Sequence, residues 1–421
     1  MNHNRALHWF ALLVFVSTLG LVAIGGLVTS HGVGMSVPDW PTSYGYNMFA
    51  LPFSLWLTGG VFHEHTHRIW ASVVGLLVVA LTRWLGGSAT RWPLMGIGVA
   101  EILAGQGLLL LGGEWKGAGH FLSGIGGVVL LGGIVWVKNA PSIRPLPALG
   151  WWAFWLVQFQ GLLGGLRVVL DAHLFAGTRL GLVFGVFHGC LGQMFLVLLA
   201  VIALLSSRWW MERESSASQQ IVPPRAEAKR GASVAWLVLG ATLLVFLQLV
   251  IGASMRHQHA GLAIWDFPLA HGTWWPDMSE VAIARYNATR VEVAGTDAIT
   301  AFQVGLQMVH RLVAVGILVM VAMCAWRLRQ VAKLAVLRRL GYFWLALVVA
   351  QAGLGAWTIW SHKAADVATF HVVGGALTLV TGVLITLIVF RFNFRCCDTG
   401  QDLAFQAPCS SGNQPAEAAK V

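Results

Sequence analysis

Ten stretches of this chain are apolar for about 20 residues each, the length a helix needs to cross a hydrocarbon core. They lie near residues 8–29, 65–86, 93–112, 119–137, 149–169, 180–205, 233–255, 301–326, 340–360 and 367–391. In lipid every backbone N–H and C=O must find its partner inside the protein, so runs of this kind read as helices rather than open strands. With 57% hydrophobic and 10% charged residues, a soluble fold of 421 residues has too little interior to hide them. The expected class is all-α, a polytopic membrane protein of about ten transmembrane helices. The first run is too long for a signal-peptide h-region and lacks a clear small-x-small cleavage site, so it counts as a spanning helix.

Lys and Arg placement then sets orientation, because cytoplasmic loops carry the excess. With the N-terminus inside, 18 of the 27 Lys and Arg residues fall in inner segments and 7 in outer ones, while Arg68 and Arg311 lie within helices. Both termini are therefore expected in the cytoplasm. The net charge of +10 reflects this asymmetry and is not a nucleic-acid footprint. The five cysteines show neither zinc nor c-type heme spacing, and none lies in a segment placed outside, so no structural disulfide is expected.

The chemistry gathers at His63-Glu64-His65-Thr66-His67-Arg68, where a loop meets the second apolar run. On a helix, Glu64 and His67 lie about 60° apart around the axis and share a face. Ionisable groups at a membrane boundary point to a functional site. One reading is H-E-x-x-H at 63–67, the zinc metalloprotease pattern with Glu64 as base. The other keeps only Glu64-x-x-His67-Arg68, with His67 an axial ligand to heme iron.

An internal repeat weighs between them. Gly25 through Pro41 aligns without gaps to Gly252 through Pro268, each closing on an Asp-aromatic-Pro turn at Asp39 or Asp266. His67-Arg68 is matched by His310-Arg311, the Gln160 to Gly165 segment by Gln351 to Ala356, and Phe187-His188 by Phe370-His371. Each half thus reads as a four-helix unit with one histidine on its second helix and one on its fourth. Lone membrane histidines often only bridge helices, but four at matched positions suit bis-histidine ligation of heme within a bundle. The protease reading weakens, because Leu306 and Gln307 stand where a second H-E would be needed. Asp39 and Asp266 are expected to cap their turns.

On these residues the chain resembles the heme A synthase family, and the match covers most of its length. The resemblance implies oxidation of a methyl group of heme O to a formyl group, giving heme A for terminal oxidases. It implies heme b as cofactor on His310 and His371, heme O as substrate on His67 and His188, and Glu64 as the catalytic carboxylate. Arg167 and Arg256, just past helix ends, are candidate contacts for heme propionates. Heme O synthase and a membrane or periplasmic electron donor are the implied partners, a homo-oligomer is compatible, and a bacterial cytoplasmic membrane is the expected location. Where many relatives carry a cysteine pair in the first outer loop, this chain has Val37 and Ser43. It also has an extra hairpin at 93–137, whose His120 rivals His188 as substrate ligand.

The expected organisation is therefore an N-terminal bundle at 1–205 with the hairpin inserted, and a cytoplasmic linker at 206–232. A C-terminal bundle at 233–391 and a disordered tail at 392–421 complete it. A bis-heme transmembrane electron carrier is the alternative of a different class. It has no need of a carboxylate beside only one heme, so Glu64 discriminates.

Overall fold

A computed structural model describes residues 4–113, 115–135, 137, 145–175, 178–217, 225–289, 298–331 and 334–392. The helices are α1 (Arg5–Ser30), α2 (Phe53–Trp56), α3 (Gly59–Gly86), α4 (Arg91–Leu111), α5 (Trp115–Ile134), α6 (Pro145–Val169) and α7 (Leu180–Leu205). They continue with α8 (Arg208–Ala217), α9 (Arg225–His257), α10 (Glu280–Thr289), α11 (Ala301–Val331), α12 (Ala335–Trp360) and α13 (Ala365–Phe392). All but α2, α8 and α10 are 20 residues or longer, so ten long helices stand among the described residues. Eight stretches are long and apolar enough to cross a membrane, and one of them, Gly59–Leu111, runs through both α3 and α4. Helix α6 is not among the eight, because three tryptophans, Gln158, Gln160 and Arg167 dilute its apolar run. The chain is an all-α, multi-pass membrane protein.

Local signals set the helix ends. Asn4 caps α1 by accepting from the Leu7 N–H at 3.1 Å. Helix α3 stops at Gly87, whose φ of 55° a side chain would resist. Pro145 opens α6, where its missing N–H costs nothing.

The long helices pack as two rings of four. In the first, α1 packs on α3, α3 on α6, α6 on α7 and α7 on α1. The second repeats the order with α9, α11, α12 and α13. The rings meet where α1 touches α13, α7 touches α9 and α7 touches α13. Exchanging α1 with α9 and α7 with α13 maps the first two contacts onto each other, the relation of a two-fold axis. The extra hairpin, α4 and α5, leans on α3 outside the first ring. Its two helices approach backbone to backbone, since a Cβ on Gly98 would lie 2.6 Å from the Gly126 oxygen.

One apolar core runs through both rings, concentrated at a single end. It takes Leu7 and Ala11 from α1, Leu81 and Leu85 from α3, and Leu199 and Ile202 from α7. The second ring adds Val234, Leu328, Leu337 and Ile388 in corresponding places. The histidines lie toward the other end of the same helices.

The segment 206–232, expected as a linker, differs: α8 occupies its first part and α9 begins at Arg225. An Arg208–Glu212 pair at 2.6 Å supports α8 at helical i, i+4 spacing. Glu214 then reaches Arg391 of α13 at 2.7 Å, tying α8 to the second ring. The expected tail lies outside the described residues beyond Phe392.

Candidate functional site

The loops that precede α3 and α11 are built on the same hydrogen bonds. Asp39 accepts from the N–H groups of Tyr44 (2.7 Å) and Gly45 (2.9 Å) and from the Thr42 hydroxyl (2.5 Å). Asp266 accepts from His271 N–H (2.7 Å) and Gly272 N–H (2.8 Å), so both aspartates are turn caps, as expected. Both turns hold a cis peptide, Trp40–Pro41 and Phe267–Pro268. Burial raises the Asp39 pKa, but the hydrogen bonds from Gly45, Thr42 and Tyr44 outweigh it and hold the carboxyl below its usual value.

The arginine after each histidine grips that loop from the helix side. Arg68 donates to the carbonyls of Asp39 (2.7 Å), Thr42 (3.1 Å) and Val37 (2.8 Å). Arg311 donates to Leu269 (2.8 Å) and Asp266 (2.7 Å). Sequence reasoning gave these arginines no role, although their place beside both histidines was the available signal. Glu64 and Gln307 do the next part of the same work. Glu64 is 5% exposed; its Oε2 accepts from Val37 N–H at 2.9 Å and its Oε1 from Arg68 at 2.7 Å. Gln307, 2% exposed, accepts from Ile264 N–H at 2.7 Å and donates to the Ile264 carbonyl at 3.0 Å. An amide therefore suffices to hold the loop. The negative charge at Glu64 pairs with Arg68 at 2.7 Å, whereas Gln307 turns its amide nitrogen to the Ile264 carbonyl.

With the loops fastened this way, the neighbouring histidines turn into the rings. His67 and His188 face each other with ring centroids 6.4 Å apart and planes at 81°. Two metal–imidazole bonds of about 2 Å, plus about 1.1 Å from each nitrogen to its ring centre, span about 6.3 Å. One metal ion fits between them. Each of the four histidines also lies against a glycine of the adjoining helix. A Cβ on Gly25 would sit 2.9 Å from His67, and on Gly164, Gly252 or Gly355 it would sit 3.4 Å from His188, His310 or His371. These glycines let each imidazole pack close against the adjoining helix. His310 and His371 lie within reach of each other's charge. Donor type in both rings, and the spacing of His67 and His188 in the first, fit a planar iron macrocycle.

The second ring nitrogens have polar surroundings. The Gln160 amide lies 2.8 Å from His188 Nδ1 and 2.8 Å from the Gly192 nitrogen. Gln351 repeats this at 3.0 Å from His371 Nδ1, with Gly375 N–H at 3.3 Å.

The remaining candidates fall elsewhere. His63 stacks on His31 at 4.7 Å, and among the described residues no group of three or more His, Cys, Asp or Glu side chains is placed to hold a metal ion. His65 is fully buried beside Ser43 (3.3 Å) and Trp56, a packing histidine. His120 is exposed on α5, and it is His188 that faces His67. Arg167 lies against Gly34 and within reach of the charges of Glu64 and Asp171. Arg256 donates across the junction to the Gly25 (3.2 Å) and Gly26 (2.8 Å) carbonyls, so part of its hydrogen bonding joins the two rings. Val37 and Ser43 are both fully buried in the first loop.

Comparison with known proteins gives three matches. The family model COX15-CtaA, cytochrome oxidase assembly protein, matches residues 118–383, a span that includes His188, His310 and His371. A heme A synthase of Shouchella clausii is 24% identical over 381 residues, covering 89% of this chain and 93% of that protein. A heme A synthase of Lysinibacillus sphaericus is 23% identical over 273 residues, 64% of each chain.

Proposed function

Because the chain belongs to the COX15-CtaA family of cytochrome oxidase assembly proteins, we propose that it works as a heme A synthase, oxidising a methyl group of heme O to the formyl group of heme A. One observation carries this reading. Two matched histidine pairs differ in the side chain that holds the loop beside them: Glu64, a carboxylate, stands where the second ring has the amide Gln307. A protein that only relayed electrons between two hemes has no use for that difference.

In this reading His67 and His188 bind heme O, and His310 and His371 hold heme b. When bound, heme b supplies one-electron redox chemistry, and the protein supplies orientation and electrostatics. Gly25 and Gly164 let the imidazoles of His67 and His188 sit close against α1 and α6. Arg68 fixes the Glu64 carboxylate one helical turn from His67. There Glu64 takes up a proton lost from the methyl carbon, or offsets positive charge that develops on it, in each of two two-electron oxidations. Arg167 is positioned to meet a propionate, and Arg256 has that role beside its part in the ring junction.

The Lys and Arg asymmetry supports an orientation with the histidine ends outward and both termini in the cytoplasm of a bacterial cell. Heme O synthase is then the expected source of substrate, and an electron acceptor or donor reaches the second ring from the membrane or the outer face. The test is extraction and chromatography of hemes from cells with and without this gene. Heme A appearing only with the gene, and heme O accumulating without it, is the expected result. The same hemes in both strains would return the electron-carrier reading.

A further inference from the structure

The two rings differ again at a place where neither Glu64 nor Gln307 takes part. The register that pairs Gly25 with Gly252 also pairs Leu21 with Gln248, one turn earlier on α1 and α9. Gln248 donates through Nε2 to the His310 carbonyl at 2.8 Å, which holds its side chain beside that residue. Its Oε1 and the Nδ1 of His310 are both buried without a hydrogen bond. In the first ring, His67 Nδ1 is turned toward the main-chain carbonyl of Leu21 without a hydrogen bond of normal geometry, and Leu21 has no polar side chain to offer.

An imidazole that binds metal through Nε2 carries its proton on Nδ1 and donates it to an acceptor, which orients the ring and raises its basicity. The Gln248 amide is already fastened to that residue, and a small turn that carries Oε1 to Nδ1 while keeping the carbonyl bond would satisfy two buried orphans together. His188 and His371 each have a glutamine of their own, so they do not distinguish the rings. We propose that Gln248 is a positioning residue that makes the second ring retain its heme, and that Leu21 at the matching place leaves the first ring able to release its heme. This rests on the two-site reading above and adds to it the reason why one heme stays as cofactor while the other passes through as substrate and product.

The test measures heme release from the purified full-length protein, loaded in both rings, to excess apomyoglobin. Gln248→Leu is expected to speed release from the second ring about 10-fold or more, the scale on which lost outer-shell partners weaken metal sites. It should also raise the reduction potential of that heme, because the imidazole then gives less charge to iron. Gln248→Glu keeps an acceptor and should retain the heme while lowering the potential, a shift that a purely packing role would not produce. Leu21→Gln should slow release from the first ring. Unchanged release and potential in Gln248→Leu overturns the proposal. His310→Ala separates the two levels. If it empties the second ring while Gln248→Leu changes nothing, this inference fails alone. If it leaves that heme bound, the assignment of the second site fails as well.

Discussion

Glu64 shows how two roles can share one side chain. Its bond from Val37 N–H is matched by that of Gln307 from Ile264 N–H, so Glu64→Gln, which gives up only the Arg68 ion pair, should keep the loop, the fold and heme binding through His67 and His188. Loss of a group that acts on the reacting carbon lowers turnover without weakening ground-state binding. Conversion of heme O should fall by about 10²-fold or more, the usual scale of a lost acid–base group. Undiminished heme A in cells expressing Glu64→Gln would remove Glu64 from the chemistry. A second residue gives a pH signature. His271 stacks on Tyr286 at 3.6 Å and meets Trp265 edge-on at 4.4 Å. Burial lowers its pKa below 6.5; Asp266 and the Ala263 carbonyl oppose the shift, and Arg311 and Arg285 add to it. The unfolded loop therefore binds the proton more readily. The His271 contribution to loop stability is full above pH 6.5 and fades as pH falls through the lower folded value. Near-ultraviolet dichroism of the Trp265 cluster should weaken on acidification, and His271→Phe should flatten that dependence. The four facing histidines were legible in the sequence because they recur in register. The arginines recur in register too, but their task was not legible, nor was that of Gln248, since their partners are main-chain groups.

At the scale of helices, the glycines facing the histidines separate tight contacts from ordinary ones. A Cβ on Gly25 would come within 2.9 Å of His67, whereas one on Gly252 would meet His310 at 3.4 Å, ordinary van der Waals contact. Gly25→Ala should therefore push His67 aside and empty the first ring, while Gly252→Ala should leave the second ring loaded. Heme content and the low-spin spectrum of each purified variant read this directly. Equal retention in both would mean that the rings tolerate movement at these helices. The ten long helices were legible because each apolar run is as long as a membrane is thick. Helix α8 was not, since it is short and mostly polar, and it is held by Trp209 and Trp210 against Phe392 and by Glu214 meeting Arg391. The hairpin was visible as two extra runs. Its close packing through Gly98 and Gly126 depends on which glycines face each other, and a repeat with no counterpart hairpin cannot show that.

For the whole molecule, the apolar core sits at one end of both rings and the histidines at the other. The base is closed by Leu, Val, Ile and Trp344 whether or not anything occupies the far end. Protein made under heme limitation should therefore keep the helix content of the loaded form, with the loss of order confined to the histidine ends. Far-ultraviolet dichroism together with hydrogen exchange tests this; global loss of helix would show that heme organises the rings from the start. The two-ring plan was legible because Gly25–Pro41 and Gly252–Pro268 align without a gap, whereas the ring junction through Arg256 joins residues far apart in the chain. That junction, with α1 and α7 exchanging places with α9 and α13, is the geometry of a symmetric pair of separate subunits. An ancestral single ring could have assembled in the same way with a second copy of itself. In such a pair every substitution appears twice, so one pocket cannot gain an acid or lose a tether unless its twin does too. In a single chain that constraint is absent. The pocket holding Glu64 and the pocket holding Gln248 can then differ, and so can the junction, where Arg256 has Thr29 at the matching place.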